Sequence, residues 1–210
     1  MDKDHLISRR SFIKTTSLIG SGFAIGFNFL QAKRELNSEF SPNMYINVLS
    51  DNTVVLSVSK AEMGQGIWTS LPMLIAEEME VDWGKVKVQQ ISKDNFIGTG
   101  GSMSISGYGW EKMREAGAVA KQVLVESAAL KWKVSPVECV AKNSVVYHQK
   151  TRRSTSFGSL VDKASKVKIP KRVTLKKPSE FNLLGKDMLR TDSKIKVDGT
   201  ALFSMDKNLP

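Results

Sequence analysis

Cysteine is almost absent from this sequence: Cys139 is the only one in 210 residues. A single thiol cannot close an internal disulfide and cannot hold an iron–sulfur cluster, so any iron–sulfur chemistry would have to sit in another chain. Its neighbours Val137, Glu138 and Val140 make a buried, inert thiol the default reading. Histidine is as scarce, with His5 and His148 far apart, so a metal held mainly by histidine or cysteine of this chain is excluded. Aromatic residues make up 8% of the chain, and no RNP motif, zinc-finger spacing or aromatic–basic alternation accompanies its net charge of +10. Nucleic-acid binding is therefore not expected. The cations are scattered, with a denser zone from Lys150 to Lys177. That zone reads as a solvated face or a docking face for an acidic subunit, and binding of acidic polymers is the rival reading. Hydrophobic residues at 41% and charged residues at 25% suit one or two globular domains. No internal repeat or low-complexity tract is present.

Charge is missing over one continuous stretch. Thr15 to Gln31 and Ala32 carry none, directly after Ser8-Arg9-Arg10-Ser11-Phe12-Ile13-Lys14. A basic segment followed by an apolar one is the layout of an export signal. Arg9 and Arg10, with Phe12 two positions on, resemble the twin-arginine signal, with Ile13 where leucine is usual. Gly20, Gly22, Gly26 and Asn28 dilute the apolar run, as is common in such signals. An ordinary secretory signal and an uncleaved membrane anchor remain alternatives, because the run approaches the ~20 residues a membrane helix needs. The twin-arginine route carries folded proteins, typically ones already loaded with a cofactor, and the expected destination is the periplasm.

The most informative motif is Glu62-Met63-Gly64-Gln65-Gly66, which follows the apolar run Val54 to Val58. It reads as a strand that ends in a tight glycine loop. Gly64 and Gly66 lack Cβ, so the backbone can turn sharply and lie against a bulky ligand. Gln65 offers a donor and an acceptor but cannot titrate, so it suits recognition rather than acid–base work. Glu62 is expected to hold the loop by hydrogen bonds rather than to act as a base. A plain surface turn is the alternative for the loop as a whole.

Around this loop the pattern predicts alternating elements. Tyr45–Leu49 and Thr53–Val58 read as a hairpin about Ser50-Asp51-Asn52. Leu71, Leu74, Ile75 and Met79 recur at helical spacing, with Thr69 or Ser70 as the cap and Pro72 in the first turn. Val86 and Val88 alternate with lysines as a half-buried strand. Gly98-Thr99-Gly100-Gly101-Ser102-Met103-Ser104 is a second glycine-rich loop, and a helix follows it. Trp110, Met113, Ala116, Ala120, Val123 and Leu124 line one stripe of that helix, and Gly117 with its alanines makes the face thin enough for close approach. Pro136 opens a short element, Ser144–His148 reads as a strand, and Phe157–Leu160 as the start of a small helix. Ala201–Phe203 is a candidate strand.

Taken in order, these pieces resemble the large subunit of molybdenum hydroxylases of the xanthine dehydrogenase family, nearest the isoquinoline 1-oxidoreductase beta and aldehyde dehydrogenase branch. The matching residues are Glu62–Gly66, Ala76-Glu77-Glu78 through Val81-Asp82-Trp83, Gly100-Gly101-Ser102 with Ser104, and Trp110 with Arg114–Ala118. Leu184-Gly185-Lys186, Arg190 with Asp192, Lys194–Gly199, Ala201 and Asp206 continue the series. The resemblance implies an α+β fold: the N-terminal portion of a molybdopterin-binding domain with the start of a hammerhead-like domain. The divisions it suggests are an export signal over 1–32, a linker over 33–43, the first part of the molybdopterin-binding domain over 44–150, a basic connector over 151–190, and the opening of the hammerhead-like domain over 191–210.

The same resemblance implies a molybdopterin cofactor, in its cytosine dinucleotide form, whose metal is held by the pterin's own sulfurs. It implies partners: the remainder of the large subunit, a small subunit carrying 2Fe–2S clusters, and a membrane-bound cytochrome as electron acceptor. The reaction class is hydroxylation of an N-heterocycle or oxidation of an aldehyde, with water supplying the oxygen. Gln65 matches the family glutamine that donates to an oxygen on the molybdenum. Gly64 and Gly66 flank it, and Gly100, Gly101 and Ser102 match a second loop at the cofactor. The family's catalytic glutamate lies far downstream, outside these 210 residues. The expectation is a piece of a larger subunit, inactive alone. An exported binding or scaffold protein that keeps the fold without the chemistry is the competing reading.

Overall fold

A computed structural model describes residues 39–43, 45–91 and 104–206. It holds two small sheets and two principal helices. The first sheet has strand order β1-β2-β3-β4, formed by Glu39–Asn43, Ile46–Leu49, Val54–Val58 and Val86–Gln90. β1–β2 and β2–β3 are antiparallel, whereas β3–β4 is parallel, with Val54 opposite Val86 and Val58 opposite Gln90. Parallel neighbours need a crossover, and α1 (Ile67–Met79) supplies it. The second sheet is an antiparallel meander of β5 (Cys139–Lys142), β6 (Val145–His148) and β7 (Arg153–Ser156). The long helix α2 (Trp110–Trp132) packs on α1, and short helices α3 (Val161–Ala164) and α4 (Ser193–Val197) follow.

The hairpin between β2 and β3 forms where Asp51 Oδ1 accepts from the Thr53 amide at 2.8 Å and Asn52 takes a left-handed φ of 69°. Asn52 also accepts from the Gly158 amide at 3.0 Å. A Cβ on Gly158 would lie 2.6 Å from the Asn52 nitrogen and the Ser50 carbonyl, so the bare backbone there lets the first hairpin sit against the segment after β7. The turn from β5 to β6 is Asn143-Ser144, with φ of 50° and 60°, the handedness that matches strand twist in two-residue hairpins. Ser144 also joins the sheets: its amide donates to Glu80 O at 2.9 Å, and its hydroxyl accepts from the Asp82 amide at 2.9 Å.

Two sequence expectations change. The stretch from Ser38 to Asn43, read as polar linker, contains β1. Proline is tolerated there because β1 is an edge strand, and the register slips between Phe40 and Asn43, the interval that holds Pro42. Ala201–Phe203 is irregular and runs into a 3₁₀ turn over Ser204–Asp206. The weakly patterned stretch after Thr151 nonetheless supplies β7 and α3. The 3₁₀ turn at Pro136–Glu138, the strand at Val145–His148 and the helical start at Gly158–Leu160 follow the sequence pattern.

The core lies between the first sheet and the α1–α2 pair. Val48, Val54, Leu56 and Val58 from the sheet meet Leu74, Ile75 and Met79 from α1, and Ala120, Val123 and Leu124 from α2. Met113 joins this stripe, while Trp110 stays 39% exposed. The thin face of α2 is used as its composition suggests: a Cβ on Gly117 would fall 2.3 Å from the Ile75 carbonyl oxygen and 3.1 Å from Glu78 Cβ. Neither backbone can yield cheaply. Gly117→Ala should lower the unfolding free energy by about 2–3 kcal/mol, the range for overpacking, read as a shift in the urea midpoint with unchanged slope. Gly84→Ala, whose Cβ meets only the Asp82 side chain at 3.3 Å, should shift it far less.

Candidate functional site

The glycine loop leaves the carboxyl end of β3 and opens directly into α1. Gly64 and Gly66 have φ of 105° and 81°, a region that favours glycine. Among the described residues a Cβ on either would meet nothing within 4 Å, so toward these residues both present bare backbone. Gly66, not Thr69 or Ser70, is the N-cap of α1. Glu62 does the capping: Oε1 accepts from the amides of Gly64 (2.7 Å) and Gly66 (3.0 Å), and Oε2 from that of Trp68 (3.1 Å). A carboxylate suits this place, since the first amides of a helix lack intrahelical acceptors and carry partial positive charge. Burial opposes the charge on Glu62. The amides of Gly66, Trp68 and Gly64, together with Arg190, outweigh it and hold the carboxyl below its usual range. The structural role read for Glu62 is the one it plays.

Gln65 stands at the exposed tip. Its amide is not loose. Oε1 accepts from the Met63 amide at 2.6 Å, and one Nε2 hydrogen goes to Ala61 O at 2.9 Å. A primary amide has two N–H groups, so among the described residues one donor is left over, with its direction fixed by the loop. Sequence reading has the amide simply displayed outward; in the structure it also braces its own turn.

The loop is gripped from far along the chain. Arg190 donates Nη1 to Gly64 O (2.7 Å) and Nη2 to Glu62 Oε1 (3.1 Å). It pairs with both oxygens of Asp192 at 2.9 Å, and Lys196 adds its ammonium to Asp192 at 2.5 Å. Asp192 is 4% exposed, and the Arg190 guanidinium, ahead of the Lys196 contact, holds its carboxyl far below the carboxylate range. Thr191, between them, completes the docking: its amide donates to Thr69 Oγ1 at 2.9 Å and its hydroxyl to Trp68 O at 3.2 Å. Trp68 O is the carbonyl that Pro72, lacking an N–H, leaves without its usual helical partner. Proline sits one turn deeper in α1 than the sequence pattern suggests, and Thr191 compensates.

At the other end of α1 two adjacent carboxylates, Glu77 and Glu78, are fully buried. The carboxyl end of a helix disfavours negative charge, so cations and donors must come from elsewhere. Glu78 takes Arg114 (Nε at 2.8 Å, Nη2 at 2.6 Å) and the Lys176 amide. Glu77 takes the Lys176 ammonium at 2.5 Å and the amides of Asn182, Leu183 and Leu184 at 3.0, 2.6 and 3.0 Å. Lys176 also pairs with Glu80 at 2.6 Å. Trp110 and Phe181 cover Arg114, their ring centroids 5.4 and 5.2 Å from the guanidinium carbon. The stretch read as a basic connector is thus bound to α1 at both helix ends. Glu77, Glu78, Arg114, Arg190 and Asp192 all stand among the residues that carry the resemblance, but their pairing is visible only in the fold. The available signal was the adjacent carboxylates in an otherwise apolar helix.

Gly100, Gly101 and Ser102, and the signal residues Arg9 and Arg10, lie outside the described residues. β3 and β4 are parallel, so the chain leaves β4 toward residues 92–103 at the same sheet end from which the 62–66 loop emerges. Gln90 bonds Val58 O at 2.9 Å and Trp68 Nε1 at 3.2 Å, tying those two exits together. Among the described residues no group of three His, Cys, Asp or Glu could hold a metal ion. Cys139 is buried, and burial raises its pKa. A cleft of about 410 Å³ between α2 and β5, lined by Lys121, Gln122, Cys139 and Thr174 among others, involves none of the 62–66 loop.

Comparison with known proteins gives the class. Residues 7–198 match the family described as molybdopterin cofactor-binding domain, and the chain belongs to that family, within the xanthine dehydrogenase type of molybdenum hydroxylases. It is 30% identical over 255 aligned positions to the isoquinoline 1-oxidoreductase subunit beta of Brevundimonas diminuta, covering 97% of this chain and 32% of that one. It is 31% identical over 218 positions to the membrane-bound aldehyde dehydrogenase (named for pyrroloquinoline quinone) of Gluconacetobacter polyoxogenes, covering 95% and 28%. The chain therefore spans about a third of these relatives' lengths. Quinoline 2-oxidoreductase from Pseudomonas putida 86 superposes with a TM-score of 0.47 at 19% identity, over 55% of this chain and 15% of that one.

Glu77 predicts a pH signature. Burial opposes the charged form of Glu77, but the Lys176 ammonium and the amides of residues 182–184 prevail and lower its pKa below the ordinary 4.5. A lowered carboxyl stabilises the fold fully above its unfolded value and loses that contribution as pH falls through the folded value. Glu77→Gln should cost about 3 kcal/mol near neutral pH, as for one broken partner of a buried pair. It should also flatten the stability–pH curve below 4.5, measured by urea titration at stepped pH.

Proposed function

We propose that this chain is the N-terminal part of the molybdopterin-binding large subunit of an exported oxidoreductase. That enzyme hydroxylates N-heterocycles or oxidises aldehydes, with water as the oxygen source. The observation that carries the reading is the 62–66 loop, whose backbone is fixed by Glu62 while Gly64 and Gly66 present bare backbone. Such a loop fits a bulky planar group: no described residue lies within 4 Å of the Cβ positions of Gly64 and Gly66, and one Gln65 N–H is uncommitted among the described residues.

Molybdopterin, when bound, supplies the redox centre that accepts electrons from the substrate. The part played by this chain is positional. Gly64 and Gly66 let the backbone come close, and Gln65 donates a neutral hydrogen bond toward the metal-bearing end. A fixed, uncharged donor can stabilise negative charge that grows during reduction with little reorganisation and no proton to manage. Gly100, Gly101 and Ser102 belong to the same reading, as further contacts to that cofactor. Support for the two substrate classes comes from the names of the similar proteins. The rest of the large subunit, a small 2Fe–2S subunit and a membrane cytochrome complete the electron path, and Arg9-Arg10 direct export to the periplasm. The cytosine dinucleotide form of the cofactor belongs to the same reading.

Gln65→Ala in the assembled, molybdenum-loaded complex should lower kcat by about tenfold to a thousandfold, the scale for one preorganised donor, with molybdenum content unchanged. Full turnover in that variant would remove Gln65 from the site.

A further inference from the structure

Arg190 offers five N–H groups in a rigid fork. In this structure four hydrogen bonds leave that fork: two to Asp192, one to Glu62 Oε1 and one to Gly64 O. The first pair fixes the guanidinium. The second pair spans the glycine loop, touching its capping carboxylate and the carbonyl beside Gln65. Among the described residues, the long-range hydrogen bonds on residues 62–66 all come from Arg190. The remaining side-chain bonds there are local: Glu62 and Gln65 oxygens accept from amides of their own turn and of the start of α1, and Gln65 Nε2 donates to the Ala61 carbonyl.

Gly64 and Gly66 make this brace necessary. Glycine has the greatest backbone freedom of any residue, and no atom of the described residues lies within 4 Å of a would-be Cβ to restrict either position by packing. The conformation that aims Gln65 therefore rests on hydrogen bonds. Arg190 is anchored independently: Asp192 is buried, Lys196 supports it at 2.5 Å, and Thr191 bonds Thr69 and Trp68 on α1.

We infer that Arg190 is a positioning residue for the Gln65 loop, acting as a latch by which the 190–196 segment sets the loop's backbone before any cofactor arrives. The inference rests on the proposed function only for what the loop faces; the latch belongs to the chain itself. A lysine could keep the charge but could not make the four-bond fork.

Amide hydrogen exchange on the full chain, without cofactor, tests it. Arg190→Gln should speed exchange at Gly64, Gly66 and Trp68 by at least about tenfold, the size of one charge-assisted hydrogen bond. Ile75, Met79 and Leu124 in the core should exchange as before. Arg190→Lys should restore part of the protection, through charge alone. Unchanged loop exchange in Arg190→Gln would overturn the latch, as would equal acceleration in loop and core, which would make Arg190 a general stabiliser. Failure of the cofactor reading has a different mark: loop protection would still depend on Arg190 while Gln65→Ala left turnover intact.

Discussion

Two buried carboxylates at the wrong end of a helix organise this chain. Glu77 and Glu78 close α1 where its dipole repels them, and burial removes the water that would otherwise solvate them. They cannot stay charged without partners. Arg114 comes from α2, which holds the two helices in register beside Gly117. Lys176 and the amides of residues 182–184 come from the downstream segment. The stretch is thereby bound to the core by these donors as well as by Leu183 and Leu184, which pack against it.

The position of the site follows. Once residues 176–184 lie against the carboxyl end of α1, the chain that continues reaches the amino end within a few residues. There Thr191 fills the place opened by Pro72, and Arg190 meets Glu62 and Gly64. The two ends of α1 use opposite chemistry. Excess negative charge at one end recruits cations, and exposed amides at the other recruit a carboxylate. Between them they fix both flanks of the downstream segment and the conformation of the glycine loop.

Local elements were legible in the sequence because each rests on neighbouring residues. The strand before the loop, the glycine turn, α1, the half-buried β4 and the thin face of α2 all follow from alternation, helical spacing or missing Cβ atoms. β1 was hidden because Pro42 argues against a strand, and only its edge position permits one. The cap of α1 was misplaced because Thr69 and Ser70 are favoured cap residues, whereas Glu62 reaches the same amides from outside the helix. The ion-pair networks were illegible in principle, since no local pattern tells Glu62 that its partner is Arg190. Even so, Glu62, Glu78, Arg114, Arg190 and Asp192 all stand among the residues that carry the family resemblance, whereas Lys176, the cation on Glu77, does not.

In the proposed reading, the Gln65 tip faces the molybdenum-bearing end of the cofactor, held there by this chain's own hydrogen bonds. An experimental structure of the assembled, cofactor-loaded enzyme measures it directly. The account predicts Gln65 Nε2 within hydrogen-bonding distance, about 3 Å, of the metal-bearing group, with Glu62 and Arg190 still bonded to the loop. A cofactor bound elsewhere, with Gln65 left in solvent, would contradict it.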